Sequence, residues 1–318
     1  MAEEIKQVRT LGEKSAFQLT NVTKTAPQFG SLTPRWLVRL LEWKAVEAGT
    51  FRRNRVKEGE TPLDLLCSQE DGKSLPETFV DYEEAPREYT LSTISTIINI
   101  HTRVSDIYSS PYDQIKEQLR LAIESVKERQ ESELINNGDY GLLNNVPESQ
   151  RIQARNGSPT PDDLDELISK VWKEPSFFLA HPRAIAAFGR EATRRGVPPP
   201  TISLFGSQFL TWRGLPLIPT ETLFVDGLRR PTSQAGKTNI LLLRVGEKKQ
   251  GVVGLFQSGL PGEQTPGLSV RFMGIDKNAV ASYLISLYCS ASVLTDDAIG
   301  VLEDVEVGNY YDYEYNYA

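Results

Sequence analysis

The 318-residue sequence contains little of what most catalytic and redox sites are built from, with only two cysteines, two histidines and two methionines. Cys67 and Cys289 are too few for a disulfide framework, so we expect a protein of the reducing cytoplasm. Residues 1–7 contain no basic region followed by an apolar stretch, and no secretory signal is therefore expected. The net charge of −7 argues against nucleic acid as the main partner.

Recognisable catalytic motifs are also missing. His101 and His181 have no second ligand-type residue at metal-binding spacing, so hydrogen-bonded structural roles are expected for both. Residues 234–238 resemble the end of a phosphate-binding loop, but Pro231 stands where such a loop needs its first glycine. The acids within residues 162–166 are explained by the favourable electrostatics of a helix N-terminus. We therefore expect no catalytic, metal-binding or cofactor-binding residue, and a protein that is not an enzyme.

Residues 279–294 form an uncharged run that fits more than one structure. The run is shorter than the roughly twenty apolar residues of a membrane helix and contains several serines, so no membrane insertion is expected. Both a helix and a strand fit the pattern. A strand is favoured, because alternate residues from Ala281 to Val293 make an unbroken apolar face and the run lacks good helix formers. Such a strand would be about 45 Å long, which indicates an elongated protomer that completes its core with neighbouring copies.

A long helix is predicted over residues 111–137, with Ser110 as its N-cap and Gly138 as its stop signal. Its first half carries an apolar stripe, whereas residues 127–133 are polar all round. A polar half of this kind is typical of a helix that bridges packing surfaces or meets another chain. A second helix is predicted to start at the N-cap Thr160.

The remaining elements are shorter. A helix is predicted over residues 35–43 and another over 183–195, the latter ending at Gly196. Residues 50–90 have no core of their own and, with a strand at 88–98, predict a projecting hairpin. Further strands are predicted at 177–180, 201–212, 215–218, 240–245 and 252–256, the last two as a hairpin around the turn 246–251.

These elements follow one another in the order found in tailed-phage major capsid proteins, which have the α+β HK97-type fold. The sequence is, more specifically, similar to encapsulin shell proteins of the second family, type 2A. No single stretch carries the resemblance, which rests on a set covering about residues 20–308. The stretches are 79–89, 113–120, 127–137, 177–182, 204–209, 251–257 and 268–274.

The resemblance implies a division into an N-terminal arm (1–50), an extended loop or E-loop (51–98), a P-domain (99–160 and 281–308) with spine helix 111–137, an A-domain (161–280) and a tail (309–318). It also implies a homo-oligomeric cytoplasmic shell of sixty copies that encloses a cargo enzyme. In the type 2A family that enzyme is a cysteine desulfurase, linked to sulfur metabolism and storage. Nucleic acid and a membrane are not expected as partners.

By analogy with the fold, the turn after the A-domain helix is a candidate lining of a five-fold pore. Its residues are Arg194, Arg195, Gly196, Val197, Pro198, Pro199 and Pro200. Consecutive prolines give a stiff backbone without N–H donors, which suits an aperture, but an ordinary proline-rich turn fits equally well. Two other functions stay open from sequence alone: a viral or prophage capsid protein, and a small-ligand-binding α/β protein using residues 160–257. Residues 226–238 and the tyrosine-rich tail are where we expect the chain to depart from its relatives.

Overall fold

The computed structural model describes residues 34–47, 49–54, 82–101, 114–223, 225 and 236–308. The predicted arm up to residue 33, most of the extended loop with Cys67, and the tail lie outside this range. Four α-helices occur in the described part of the chain: α1 (Trp36–Leu40), α2 (Gln114–Asn136), α3 (Pro161–Lys170) and α4 (Pro182–Arg194). The helix predicted over 111–137 is confirmed as α2, its first three residues being outside the described part.

A six-stranded sheet is built around the uncharged run, which is a strand as predicted. Its members are β1 (Glu42–Val46), β4 (Ser92–His101), β11 (Val252–Gln257), β12 (Glu263–Thr265), β13 (Leu268–Ile275) and β14 (Val280–Val293). One edge of β14 pairs with β4, while its other edge pairs first with β13 and then with β11. Because 14 residues can hold three partners in this way, the length of β14 organises the whole sheet.

The predicted apolar face of β14 packs against α2. Ile285, Leu287 and Cys289 are buried in a cluster that includes Val126 and, from the first half of the helix, Leu119. The opposite face is less exposed than its serines suggest, since Ser290 and Ser292 are completely buried. Beside this end of β14 lies the base of the hairpin formed by β2 (Thr50–Arg53) and β3 (Arg87–Thr90), which packs with Val253 and Leu255 of β11 and with Leu294. The base of the predicted hairpin is therefore present, and its distal part, residues 55–81, lies outside the described residues.

A seven-stranded sheet forms the second half of the structure. In spatial order it contains β5 (Arg151–Gln153), β15 (Ile299–Glu306), β10 (Lys237–Leu243), β6 (Phe177–Ala180), β9 (Leu215–Pro219), β8 (Ser207–Trp212) and β7 (Thr201–Leu204). Alternate residues of its central strands face opposite layers, as the strand period requires. Phe178 and Leu242 pack under α3 and α4, whereas Leu179 and Leu241 pack under α1 and the C-terminal end of α2.

The start of α3 is the predicted N-cap. The Thr160 hydroxyl accepts the Asp163 backbone N–H at 3.2 Å, and the Asp163 carboxylate accepts the Thr160 backbone N–H at 3.0 Å. This reciprocal pair is a capping box, which satisfies two backbone donors that a helix start leaves free.

The predicted hairpin of 240–245 and 252–256 is wrong. Strand β10 lies in the seven-stranded sheet and β11 lies in the six-stranded sheet, so the turn 246–251 carries the chain from one sheet to the other. The two strands share only the bridge between Val245 and Val252. Turn chemistry alone cannot distinguish a hairpin from a crossover, because both need the same glycines.

Three element boundaries also differ from prediction. The first helix ends at Leu40, and Trp43 lies in β1 opposite Gly254, where a Cβ would stand 2.7 Å from the indole ring. The predicted strand 201–212 is two strands, because Phe205 and Gly206 have φ angles of 51° and 78° and reverse the chain. The predicted strand 88–98 is likewise divided at Leu91 into β3 and β4.

Both sheets draw strands from either side of the predicted boundaries at residues 160 and 280. Strand β15, after 280, pairs with β10, and strands β11 and β13, before 280, pair with β14. The P-domain ranges (99–160 and 281–308) and the A-domain range (161–280) are therefore not separate folding units.

Candidate pore loop and exposed surfaces

The candidate pore loop begins with a well-formed helix C-terminus. Gly196 has a φ of 78°, and its N–H donates to the carbonyl of Thr193 at 2.9 Å. The N–H of Val197 donates to the carbonyl of Ala192 at 3.0 Å. Together these two bonds form a Schellman motif, which satisfies carbonyls that a helix end leaves without partners.

Ion pairs fix the loop at its base. The Arg195 guanidinium donates to Glu191 at 2.8 Å and to Asp162, in the first turn of α3, at 3.0 Å. The hydrogen bond to Glu191 raises the pKa of Arg195, which therefore stays fully charged. Arg194 lies farther from Glu191, at 3.9 Å, and 62% of its side chain is exposed. The loop thus presents one anchored and one outward-facing guanidinium.

The proline segment leads directly into the exposed strand β7. The carbonyl of Pro200 accepts the N–H of Thr211 at 2.8 Å, which ties the end of the segment to β8. All residues from 194 to 200 are exposed except Pro199, which is half-buried. The structure thus brings the seven candidate residues together as one ordered, exposed edge, whose backbone has few donors to offer a passing solute.

Replacing Gly196 with valine is expected to destabilise the protein by about 1–2 kcal/mol, because a β-branched residue is strained at positive φ. The apparent melting temperature should fall by roughly 2–8 °C. Gly138→Ala is a matched control, since that glycine has open space around it and no positive φ. Differential scanning fluorimetry of both variants checks the prediction, and equal melting temperatures would contradict it.

Among the apolar side chains exposed in the described part of the chain, two groups lie at the β7–β8 hairpin and in β13. The β7–β8 hairpin exposes Phe205, whose ring contacts Trp36 at a centroid distance of 5.7 Å. The second surface, which we call the β13 tip, comprises Phe272, Met273 and Ile275, each more than half exposed. Phe272 is held against Tyr283 of β14 at 5.3 Å. Clustered large apolar side chains on a surface are typical of contacts with another protein.

His181 and Cys289 have structural environments. The Nδ1 atom of His181 accepts the N–H of Arg183 at 3.1 Å and caps α4, which confirms the role expected for this histidine. Cys289 is a free, buried thiol whose pKa is raised to about 12 by desolvation. The described residues include no cluster of three or more metal-ligating side chains, and their helices include none long and apolar enough to span a membrane.

Sequence reasoning missed three buried charged residues of the described part, namely Arg53, Glu131 and Arg244. Arg244 is 1% exposed at the crossover between the two sheets and donates to Thr295 at 2.6 Å and to Asp297 at 2.7 Å. Glu131 is 1% exposed on the polar half of α2. The signal for Arg244 was a single charge at the end of the apolar run 240–245, whereas Glu131 lies among polar neighbours and gave no signal.

Comparison with known families gives one match over most of the chain. A family model described as type 2A encapsulin shell protein, SrpI-like, matches residues 49–309. The chain is 62% identical over 306 residues to the type 2A encapsulin shell protein SrpI of Synechococcus elongatus, covering 96% of this chain and 97% of the relative. It is 58% identical over 310 residues to a type 2A encapsulin shell protein of Mycolicibacterium paratuberculosis, with the same coverage.

Solved structures agree with these matches. The cryo-EM structure of the holo-SrpI encapsulin complex from Synechococcus elongatus PCC 7942 superposes with a TM-score of 0.81 at 60% identity, covering 96% of this chain and 100% of that one. The capsid of an empty GTA particle gives a TM-score of 0.61 at 13% identity, covering 93% and 99%. The second likeness shows the fold alone, and it confirms the predicted capsid-type architecture.

Proposed function

Because this chain belongs to the SrpI-like family of type 2A encapsulin shell proteins, we propose that about sixty copies close into an icosahedral shell around a cargo enzyme. The chain itself is a structural shell subunit and not an enzyme. The observation that carries the proposal is the near full-length match to a shell protein whose solved structure is described as a holo complex.

The cargo we propose is a cysteine desulfurase, which would link the particle to sulfur metabolism and storage in the bacterial cytoplasm. The resemblance to type 2A encapsulins supports this choice. The buried free thiol of Cys289 suits a reducing compartment. Particles purified from the native host should therefore contain a cysteine desulfurase by mass spectrometry. They should convert cysteine to alanine and, with an added dithiol reductant, release the transferred sulfur as sulfide. A different co-purifying enzyme at stoichiometric amounts would contradict the cargo assignment but not the shell.

We further propose that residues 194–200 line the five-fold aperture of the assembled shell. The ordered, exposed geometry of the loop and the outward-facing Arg194 support this role. A cryo-EM map of the assembled particle tests it. The loop should surround the five-fold axis, and a loop buried in a contact away from that axis would refute the proposal.

We also propose that the chain is divided into the regions implied by its resemblance to capsid proteins. This division assigns 51–98 to the E-loop, 99–160 and 281–308 to the P-domain, and 161–280 to the A-domain. Strands from both sides of residues 160 and 280 pair in the same sheets. The regions are therefore parts of one folded unit, and we do not expect any of them to fold alone.

A viral or prophage capsid role is the alternative that the fold leaves open. The 13% identity to the GTA capsid supports only the shared architecture, and the net charge of −7 does not favour packaging nucleic acid. Nuclease-protected nucleic acid in purified particles would favour the capsid role over the encapsulin role. No observation on the described residues favours the small-ligand-binding alternative.

A further inference from the structure

The buried carboxyl of Glu131 lies where the long helix meets the seven-stranded sheet. Its Oε1 atom accepts the hydroxyl of Thr220 at 2.9 Å, and Thr220, which follows β9, is itself only 3% exposed. The N–H of Thr220 donates to the carbonyl of Ala180 in β6 at 2.9 Å. The contact therefore joins α2 to two central strands of the sheet.

A second contact lies one and a half turns further along α2. The Asn136 side chain donates to the carbonyl of Thr222 at 2.7 Å, and the hydroxyls of Thr220 and Thr222 are 2.7 Å apart. Residues 220–222 are thus held to the helix at two points. A change at Glu131 weakens the contact with Thr220 and leaves the contact between Asn136 and Thr222.

Little charge compensates the Glu131 carboxylate. Its Oε2 atom is buried and makes no hydrogen bond. Arg35, the residue immediately before α1, is committed to Glu124 at 2.9 Å and lies 3.9 Å from Glu128. Glu128, on the same face of α2, adds a like charge, and the backbone of Val38 in α1 adds one favourable polar contact. No ion pair to Glu131 occurs within the described ranges.

Desolvation therefore dominates the chemistry of this group. Burial raises the pKa of Glu131 from 4.5 to about 7, with Glu128 adding to the rise and the Thr220 hydroxyl and Arg35 opposing it. A carboxyl in this environment exchanges its proton near neutral pH, whereas an exposed glutamate would be ionised throughout that range.

We propose that Glu131 is a proton-linked latch between the long helix α2 and the seven-stranded sheet. When the carboxyl is neutral, it packs against Thr220 without an uncompensated charge and holds the helix to the sheet. When it is ionised, the buried charge favours opening of the joint toward water, while Asn136 retains the second tie. This property goes beyond shell formation and depends on neither the cargo nor the pore.

The direction of the pH effect follows from the two pKa values. The unfolded chain releases the Glu131 proton near pH 4.5 and the native protein releases it near 7. The native state therefore binds more protons between these values, and stability falls as pH rises through that window. Above about pH 7 both states are ionised and the loss is complete.

Glu131→Gln in the full-length assembled protein tests the latch, because glutamine keeps the shape and removes the titration. From pH 5 to 8 the melting temperature of the wild type should fall more than that of the variant, and at pH 8 the variant should be the more stable of the two. Glu133→Gln is the matched control, since Glu133 is also a carboxylate of α2 but forms an ion pair with Arg129 at 2.6 Å. The control should keep the wild-type slope. Parallel profiles of wild type and Glu131→Gln would overturn the proposal.

A measurement on the unmodified protein covers the case in which the variant fails to fold. Hydrogen exchange of peptides from residues 128–136, corrected for intrinsic pH dependence, should show less protection at pH 8 than at pH 6. Peptides from β14 should show no such difference. Equal protection of 128–136 at the two pH values would overturn the proposal without any variant.

Discussion

Replacing Arg244 with methionine is expected to destabilise the protein by about 3–5 kcal/mol, the usual cost of removing one partner of a buried ion pair. The guanidinium is 1% exposed and bonds to Thr295 and Asp297 and, more loosely, to the carbonyls of Lys173 and Gln250. These groups come from the segment between β14 and β15, from the turn 246–251 and from the segment that follows α3. One side chain therefore joins the two sheets where the chain crosses between them. Methionine fills a similar volume but donates no hydrogen bond, so Asp297 keeps only Lys173 and Thr295 as partners.

Arg213→Met is the matched control for this experiment. Arg213 also forms a two-point pair with an aspartate, donating to Asp165 at 2.8 and 3.0 Å, but its side chain is 65% exposed. An exposed pair contributes only about 0–1 kcal/mol. Denaturant unfolding, or solubility if the variant does not accumulate, should therefore separate the two variants clearly. Similar stability losses for both would contradict the role assigned to Arg244.

The ion pairs around Asp297 also make the stability of the folded protein depend on pH under acidic conditions. Burial alone would raise the pKa of Asp297, but hydrogen bonds from Arg244, Lys173 and Thr295 outweigh it and hold that pKa well below the usual 3.8. The stabilisation is therefore present above pH 3.8 and is lost as pH falls below it. The stability of the Arg244→Met variant should therefore fall less steeply with decreasing pH than that of the wild type.

The double change Phe272→Asp and Met273→Asp is expected to leave the subunit folded and abolish shell assembly. Both side chains are 57% exposed in the isolated subunit, so replacing them removes little of its core. We expect neighbouring copies to cover these two side chains in the shell, because clustered exposed apolar groups are typical of contacts between proteins. Each subunit of the variant would bring two charges into that contact, and symmetry repeats the penalty throughout the particle.

Size-exclusion chromatography with circular dichroism measures both expected outcomes. The variant should elute as a small species with a wild-type spectrum. Lys277→Asp, at an exposed position after β13, changes charge without removing apolar surface and should still assemble. Full-sized particles of the double variant would show that the β13 tip is not a subunit contact.

Elements with a strong local signal were predicted correctly. The uncharged run became β14 because alternate residues from Ala281 to Val293 had to be buried against something, and α2 supplies that surface. The start of α3 followed from Thr160 as its N-cap, and the capping bonds that Thr160 makes with Asp163 involve only four consecutive residues. The end of α4 followed from Gly196, for the same local reason.

Features that depend on distant partners were not predictable in this way. The sequence around residues 246–251 specifies a reversal, but whether β10 and β11 pair depends on β14 and β15 taking one strand each. The burial of Glu131 depends on Thr220, which is 89 residues away. For the candidate pore loop, the prolines and Gly196 predicted a stiff turn, whereas the anchoring of Arg195 to Asp162 required the packing of α3 beside α4.

Mass photometry of the purified full-length chain is the most direct test of shell formation. Sixty copies of the 35.6 kDa chain predict a closed particle of about 2 MDa, stable on dilution and visible as a uniform shell by negative-stain microscopy. A stable monomer or dimer at all concentrations would contradict the account.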